Sequence, residues 1–401
     1  MDFTAFPQPP DNSSSSSSSS GFCLCPTAAT RIFLPSMYTL LFLTALPGNA
    51  LSLWVFLRCI STTSPTHVYL SHLSVSNLLL SLTAPFLAAY YAWGSEWRLS
   101  GALCQLVLHL ITPVLHINVY ISLVILTWVA LCRFAVLIQH THASRPSACT
   151  TLLPHTFFTR LLRASFARWV CATVWVVAVG GIVPVTVYYS VNEAMSGSSS
   201  ADGAAEEGGR VEVCYSPAVE IGGSLSKAFS VPLLLMFFIF YLLVLLFYMT
   251  LLRHLRRSRH GSNISTSQSL LGRALRNIVI IQVVLSVCLL PYHIFKPIFI
   301  SVAHHQLTSP PNTPTHCHPL STLIELKNCL LLLATLRGSA DPVMYFLLDK
   351  TFHHQTLLLL GCSRNKGRGK EAPGSDTGSA GHKGQVGGGG ELSLGDRGLE
   401  S

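Results

Sequence analysis

The stretch Leu336-Arg337-Gly338-Ser339-Ala340-Asp341-Pro342-Val343-Met344-Tyr345 lies near the end of the last long apolar run of the sequence. Arg337 and Asp341 are four residues apart, so on a helix they share one face about one turn apart and can form an ion pair. Charges inside an apolar, membrane-length segment are costly and usually mark function or an obligatory partner. Pro342 removes a backbone donor and predicts a kink. We expect the other helices to be arranged around this charged, bent segment.

Composition identifies the class of protein. Half of the 401 residues are apolar and 11% are charged, whereas a soluble domain carries roughly 25% charged residues. Runs long enough to cross a bilayer lie at roughly 34–57, 69–92, 102–131, 169–190, 225–252, 277–302 and 320–348. The sequence therefore predicts an all-α membrane protein, a seven-transmembrane helix bundle.

The remaining segments define the domain organisation. Residues 1–33 contain the run Ser13–Ser20 and are predicted to be a disordered extracellular N-terminus. Residues 34–349 form the transmembrane domain, and 350–362 fit a short helix in the membrane interface. Residues 363–401 are Gly-rich and are predicted to be a disordered cytoplasmic tail.

Basic residues set the expected orientation. If the N-terminus is outside, most Lys and Arg residues fall in the three inner loops and the tail, and those loops contain no Asp or Glu. The positive-inside rule then predicts a multi-pass membrane protein with an outer N-terminus and an inner C-terminus. The net charge of +9 is explained by this topology and by a basic face for a cytosolic partner, rather than by nucleic-acid binding.

The cysteines divide between the compartments. Those on the outer side are Cys23, Cys25, Cys104, Cys214 and Cys317, an odd number, so at least one is unpaired or pairs between chains. Asn12 begins a glycosylation sequon on the outer side. Cys362 is the last residue of the interfacial segment and is either palmitoylated or unmodified. No cysteine or histidine pattern fits a metal site, and no cofactor is predicted.

Seven features, found in order along the chain, resemble the rhodopsin-like G-protein-coupled receptors. These are Gly48-Asn49, the outer cysteines Cys104 and Cys214, Arg133 at the end of span three, Trp175, Pro232, Cys288-Leu289-Leu290-Pro291 and Asp341-Pro342-Val343-Met344-Tyr345. Within the family, Asp341 before Pro342, with His293 and Lys296 on span six, is similar to the branch of nucleotide and lipid-mediator receptors. The resemblance implies a disulfide between Cys104 and Cys214.

Two departures concern the middle of the bundle. The family usually has Asp where Asn77 stands, a carboxylate that helps to hold a sodium ion, and an uncharged Asn where Arg337 stands. The change predicts an internal switch in which a tethered guanidinium replaces the sodium ion, paired with Asp341 and within reach of Asn77 and Ser122, with Tyr345 following. A purely stabilising ion pair is the alternative. We expect Arg337→Ala to impair folding or signalling, and Asn77→Asp to restore sensitivity to sodium.

A third departure lies at the inner end of span three. The acidic residue that usually precedes Arg133 is replaced by Cys132, and the usual Tyr after it by Phe134. An arginine without this counterion predicts appreciable basal activity. From the residues alone, Arg133 could instead cap the helix C-terminus or extend to lipid phosphates. Leu289 replaces an aromatic switch residue, so that part of the activation relay is expected to be absent or rearranged.

The resemblance also implies a location in the plasma membrane and two kinds of partner. His293, Lys296 and Tyr292 on span six, with Lys327 near the outer end of span seven, are candidates to bind an extracellular anionic ligand. Alternatively, the lysines extend to headgroups or are neutralised by Glu325 and Glu220. Arg133, Arg256, Arg257 and Arg273 are candidates to contact a heterotrimeric G protein, with arrestin as a further partner.

Other classes of membrane protein fit less well. A transporter or channel, the main alternative, would show charged residues along a path or paired broken helices. An enzyme would pair a nucleophile with a base or present two carboxylates at helical spacing. A retinal pigment would need a Lys deep in span seven, whereas Lys327 lies about 15 Å above Arg337 by helical rise. The sequence favours a receptor.

Overall fold

The computed structural model describes residues 27–60, 64–95, 105–142, 155–199, 224–259, 265–308 and 320–361. Within these ranges, seven helices are long and apolar enough to cross a bilayer, and we number them as spans one to seven. They run Ala29–Cys59, Pro65–Ala92, Val107–Val136, Ala164–Asn192, Lys227–Thr250, Leu275–Ala303 and Ser321–Leu348. The predicted all-α, seven-helix fold is confirmed.

Several helices continue beyond the spans. The helix of span three ends at His142, that of span four at Ser199 and that of span five at Arg259, while the helix that leads into span six begins at Ser265. Two shorter helices, His155–Leu161 and Lys350–Leu359, complete the described elements. Contacts divide the chain into units Met1–Thr356 and Leu357–Ser401, and the bundle and every contact below belong to the first.

Four spans contain a π-helical turn that is followed two residues later by a proline. The turns are Ala29–Phe33, Val107–Ile111, Ala178–Ile182 and Leu285–Leu289, and the prolines are Pro35, Pro113, Pro184 and Pro291. A proline lacks the amide donor, and its ring clashes with the carbonyl one turn earlier. The preceding turn relieves this clash by widening. Leu289, which replaces the aromatic switch residue expected from the family resemblance, therefore lies in a widened turn and is fully buried.

Span three forms the centre of the bundle. It contacts spans two, four, five, six and seven, and it buries more of its length than any other span. Span one packs along span two and against span seven. The contact with span seven is close at Gly48, where an added Cβ would lie 3.1 Å from Pro342 Cγ. A small residue at this position lets the two helices approach each other.

The two ends of the bundle differ in charge. We call the end that carries Arg58, Arg133 and Arg253 the basic end, and the other, which carries Thr27 and Glu325, the far end. At the basic end, span seven stops at Leu348 because Asp349 adopts an extended conformation, with φ −118° and ψ 110°. The Asp349 carboxylate then caps the next helix, accepting hydrogen bonds from the backbone N–H groups of Thr351 at 2.9 Å and Phe352 at 3.0 Å.

Candidate functional site

A buried polar cluster lies in the middle of the bundle around Arg337. The Arg337 side chain is fully buried, and its Nη1 donates to Asp341 Oδ2. Its Nη2 lies 3.0 Å from Asn77 Oδ1, 3.3 Å from Asn118 Oδ1 and 2.6 Å from Ser122 Oγ. One guanidinium therefore connects span seven to spans two and three. The planar fork of arginine suits this role because it presents several donors in fixed directions.

The amides around Arg337 extend the network to span one. Asn77 Nδ2 donates to Asp341 Oδ2 at 2.7 Å and to Asn49 Oδ1 at 3.1 Å. Asn49 Nδ2 in turn donates to the carbonyl oxygen of Gly338 at 2.8 Å. Asn118 Nδ2 donates to Ser76 Oγ at 2.9 Å. The paired charges and hydrogen bonds offset part of the cost of burying both ions, and in the described residues Arg337 Nε and Asp341 Oδ1 have no hydrogen-bond partner.

Tyr345 continues the cluster toward the basic end. It lies one turn after Asp341, is fully buried, and contacts Phe56 edge-on with ring centroids 5.6 Å apart. Phe352, from the helix after span seven, lies 6.0 Å from Tyr345 and 5.0 Å from Phe56 by ring centroids. The aromatic rings therefore connect the polar cluster to the junction at Asp349, where span seven ends and the helix Lys350–Leu359 begins.

Arg133 lies at the basic end and is paired across the bundle. Its Nη2 is 3.9 Å from Asp349 Oδ2, and the same oxygen accepts a hydrogen bond from His67 Nε2 at 2.8 Å. Neighbouring Cys132 instead points at the short helix His155–Leu161, with Sγ 3.7 Å from the Leu161 carbonyl oxygen. The counterion of Arg133 thus comes from the end of span seven rather than from the preceding residue.

The candidate ligand residues on span six lie in an aromatic cluster. The His293 ring stacks on Phe237 with centroids 3.7 Å apart and meets Tyr120 and Tyr292 edge-on. His293 Nδ1 lies 2.8 Å from the Leu289 carbonyl oxygen, which makes Nδ1 the protonated nitrogen and Nε2 an acceptor. Nε2 is buried and has no hydrogen-bond partner among the described residues. His293 is therefore a core residue whose second ring nitrogen is left unused by the part of the chain that the structure describes.

The two candidate lysines each lie over an aromatic ring. Lys296 Nζ is 5.8 Å from the ring centroid of Tyr292, and Lys327 Nζ is 5.2 Å from that of Phe299. Such cation–π contacts stabilise an ammonium without neutralising it. In the ranges that the structure describes, no carboxylate pairs with Lys296. The structure thus places three of the four candidates, Tyr292, His293 and Lys296, next to one another.

Comparison with known proteins decides the family. Residues 48–345 match the model of the 7 transmembrane receptor (rhodopsin family). The chain belongs to this family. The receptor is 36% identical to Probable G-protein coupled receptor 82 of Homo sapiens over 334 residues, 82% of this chain and 92% of that protein. The family assignment makes it a G-protein-coupled receptor with multiple membrane spans, and the transporter alternative is not favoured.

More distant relatives of the receptor carry names that mention ligands. A purinoceptor of Homo sapiens is 27% identical over 316 residues, 79% of this chain and 73% of that protein. Uracil nucleotide/cysteinyl leukotriene receptor of Homo sapiens is 25% identical over 346 residues, 85% of this chain and 80% of that protein. These matches agree with the branch of the family that the sequence indicated.

The sodium ion that the family resemblance implies does not fit this receptor. The guanidinium of Arg337 already contacts the oxygens of Asn77, Asn118 and Ser122 and the carboxylate of Asp341. A metal ion would have to displace these bonds and would lie beside a positive charge, which Coulomb repulsion opposes. The buried cation of this receptor belongs to its own chain.

Sequence reasoning missed three residues of the site. Asn118 lies one turn before Ser122 on span three, and this spacing of polar residues in an apolar run was a usable signal. His67 lies at the start of span two and Asp349 directly follows span seven, so their pairing depends on contacts between distant segments. No local pattern marks such a pairing.

Several predicted positions lie outside what the structure describes. Asn12, Cys104, Cys214, Glu220 and Cys362 fall outside the described residues, so their glycosylation, disulfide, charge-pairing and palmitoylation roles stay predictions. Arg256, Arg257 and Arg273 belong to the helices Ser224–Arg259 and Ser265–Val284, at the basic end.

Proposed function

We propose that this receptor binds a small anionic ligand at its far end through Lys296 and transmits binding to a heterotrimeric G protein at its basic end. The proposal places the N-terminus outside the cell and the basic end in the cytosol, as the basic residues predict. Arrestin would contact the same cytosolic end. The observation that carries the ligand class is the ammonium of Lys296, half-buried over Tyr292 with no carboxylate partner in the described ranges.

Glu325, the acid nearest in sequence to Lys327, already accepts hydrogen bonds from the start of span one. Glu325 Oε1 accepts hydrogen bonds from Thr27 N at 2.9 Å and Thr27 Oγ1 at 2.7 Å, and also from Thr30 Oγ1. Glu325 therefore ties the start of span one to span seven. This engagement weakens the alternative that Glu325 serves to neutralise the lysines, and it supports an anion from outside as the partner of Lys296.

The relatives support the same ligand class. Uracil nucleotides and cysteinyl leukotrienes, which one relative's name mentions, are both anions. A half-buried ammonium gains most from an anion that also fills apolar space, because the pair then forms away from water. The aromatic rings of Tyr120, Phe237 and Tyr292 surround His293 one turn below Lys296 and offer such contacts.

We further propose that the Arg337 cluster is the internal switch between the two ends. The guanidinium contacts spans two, three and seven, so any relative movement of these spans must break or exchange its hydrogen bonds. A cluster with two such arrangements would couple the far end to the basic end. Tyr345 and Phe56 would pass the change to the junction at Asp349.

The ligand proposal is tested with three named anions in cells that express the receptor. Uridine diphosphate, adenosine triphosphate and a cysteinyl leukotriene are applied while G-protein activation is measured. We expect at least one anion to activate wild type, and Lys296→Ala to weaken its potency at least tenfold at equal surface level. Lys296→Arg, which keeps the charge, should retain most of the response.

Lys227 provides the matched control. It lies in span five and is partly exposed, and its removal takes away the same charge without touching Tyr292. Lys227→Ala should therefore leave the potency unchanged. Equal potency of the active anion on wild type and Lys296→Ala, or no activation by any of the three, would contradict the proposal of an anionic ligand bound by Lys296.

A further inference from the structure

Asp349 occupies a junction where three parts of the receptor meet. Its Oδ1 caps the helix Lys350–Leu359 through Thr351 and Phe352, while its Oδ2 faces His67 of span two and Arg133 of span three. The side chain is 7% exposed, whereas that of Arg133 is 26% exposed. One buried carboxylate thus holds a partly accessible arginine from across the bundle.

The charge state of Asp349 suits this role. Burial opposes its ionisation, but the hydrogen bond and charge of His67, the N–H of Phe352 and the charge of Arg133 outweigh burial and hold the pKa of Asp349 below its ordinary value. The carboxylate is therefore ionised at neutral pH. Its anion faces Arg133 throughout the physiological range.

The pairing with Arg133 is loose compared with the other bonds of Asp349. At 3.9 Å, Arg133 Nη2 is within range of an ion pair but too far for a hydrogen bond, whereas His67 Nε2 at 2.8 Å is well within it. Arg133 could leave while Asp349 keeps its cap and its histidine. The arrangement therefore has one contact that can open and three that remain.

We propose that Asp349 is the counterion that positions Arg133 in the resting receptor, in place of the acidic neighbour that this chain lacks at Cys132. This inference rests on the proposed coupling of Arg133 to a G protein. When the basic end opens, Arg133 leaves Asp349 and becomes available to the G protein, while Asp349 continues to cap the terminal helix. The resting receptor is then more restrained than the sequence predicted from the missing local acid.

The proposal is tested on purified receptor in lipid nanodiscs with two independent measurements. Spin labels carried by noncanonical amino acids at Leu57 and Arg276, both exposed at the basic end, report the distance between spans one and six without any G protein. Basal nucleotide exchange on added G protein reports coupling. The variant is Asp349→Asn, because asparagine also caps helices well and the substitution removes mainly the charge.

We expect Asp349→Asn to shift the label distances toward longer values and to raise basal exchange several-fold. Arg133→Gln should shift the distances in the same way, and the double variant should add nothing, since both changes break one contact. Glu325→Gln, which removes an acid from the far end of span seven, should change neither measurement.

The outcomes separate this inference from the function on which it rests. Unchanged label distances in Asp349→Asn would overturn the inference. The proposed coupling would still stand if Arg133→Ala abolishes the nucleotide exchange that wild type shows. Longer label distances in Asp349→Asn, with no nucleotide exchange in either wild type or the variant, would support the restraint by Asp349. The same result would count against the coupling of Arg133 to a G protein. Additive shifts in the double variant would also overturn the inference, because they would show that Asp349 and Arg133 act through separate contacts.

Discussion

Arg337 and Asp341 form an ion pair in which both side chains are fully buried, one helical turn apart on span seven. The guanidinium also donates hydrogen bonds to Asn77, Asn118 and Ser122, so the pair connects spans two, three and seven. The ion pair itself follows from the spacing of four residues, whereas the hydrogen bonds to spans two and three follow from how the helices pack.

Removal of Arg337 alone should destabilise the receptor strongly. Arg337→Ala leaves the carboxylate of Asp341 buried without its cation, and breaking one side of a buried pair costs about 3–5 kcal/mol. We expect a lower surface level and a clearly lower melting temperature in detergent. In the double variant Arg337→Met/Asp341→Asn, which leaves no unpaired charge, part of the loss should be recovered. A melting temperature equal to that of wild type in Arg337→Ala would show that the pair is dispensable.

The sequence alone predicted that Asn77→Asp would restore sensitivity to sodium, but the contacts of Arg337 indicate that two substitutions are needed. Asn77 donates to the oxygens of Asp341 and Asn49, so Asn77→Asp alone places a carboxylate oxygen against two other acceptor oxygens. The guanidinium of Arg337 also remains in the cluster, where a sodium ion would have to bind. We expect this single variant to be less stable and unresponsive to sodium. Asn77→Asp with Arg337→Asn restores two carboxylates and removes the tethered cation, and 150 mM NaCl should raise its melting temperature relative to choline chloride, at roughly physiological ionic strength. A sodium-dependent shift in the single variant would contradict this expectation.

Gly48 should not tolerate a larger side chain. An added Cβ would lie 3.1 Å from Pro342 Cγ, whereas at Gly181 no atom in the described part of the chain lies within 4 Å. Gly48→Val should therefore push spans one and seven apart at a cost of about 1–3 kcal/mol. Gly181→Val makes the same chemical change on a free helix surface and should be near neutral. Similar melting temperatures for the two variants would mean that the contact between Gly48 and Pro342 adjusts without cost.

His293 should act as an aromatic core residue in stability measurements. His293→Phe keeps the stack on Phe237 and removes a buried acceptor that has no partner among the described residues, so we expect a melting temperature at or above that of wild type. His293→Ala leaves a cavity between Phe237 and Tyr120 and should cost on the order of 3 kcal/mol. If His293→Phe is as unstable as His293→Ala, the hydrogen bond to Leu289 contributes more than the stack.

Acid should weaken the junction at Asp349. Because the folded receptor holds the pKa of Asp349 below the ordinary 3.8, the ionised carboxylate stabilises the fold at every pH above that value. This contribution is lost as the pH falls from about 5 through the depressed pKa. The difference in melting temperature between wild type and Asp349→Asn should therefore shrink with falling pH. A difference that stays constant from pH 6 to pH 3 would indicate that Asp349 acts through geometry and not through charge.

The sequence predicted the parts of this receptor that depend on local spacing. Seven apolar runs predict seven spans because a bilayer fixes their length, and the Arg337–Asp341 pair follows from the helical repeat. Asn118 could have been found from its spacing to Ser122, but its hydrogen bonds to spans two and seven depend on the rotation of span three, which local spacing does not determine. The pairing of Arg133 with Asp349 joins residues far apart in sequence, and their approach depends on where span seven stops.

The π-helical turns mark another limit of sequence reasoning. Prolines predict bends, but whether the backbone kinks or widens depends on the neighbours that must accommodate the ring. Here four turns widen just before Pro35, Pro113, Pro184 and Pro291. Each widened turn changes the angular position of later residues on its span, which limits the transfer of roles from other receptors by counting residues.

The buried arginine also bears on how the receptor is made. Span seven is the least apolar of the seven spans and carries Arg337 near its middle. Insertion of an arginine at the centre of an isolated helix costs about 2.5–3.5 kcal/mol at the translocon. Spans two and three, which supply Asn77, Asn118 and Ser122, are synthesised first and can receive the guanidinium as span seven enters the membrane. The last helix of this receptor thus depends for its integration on helices made earlier.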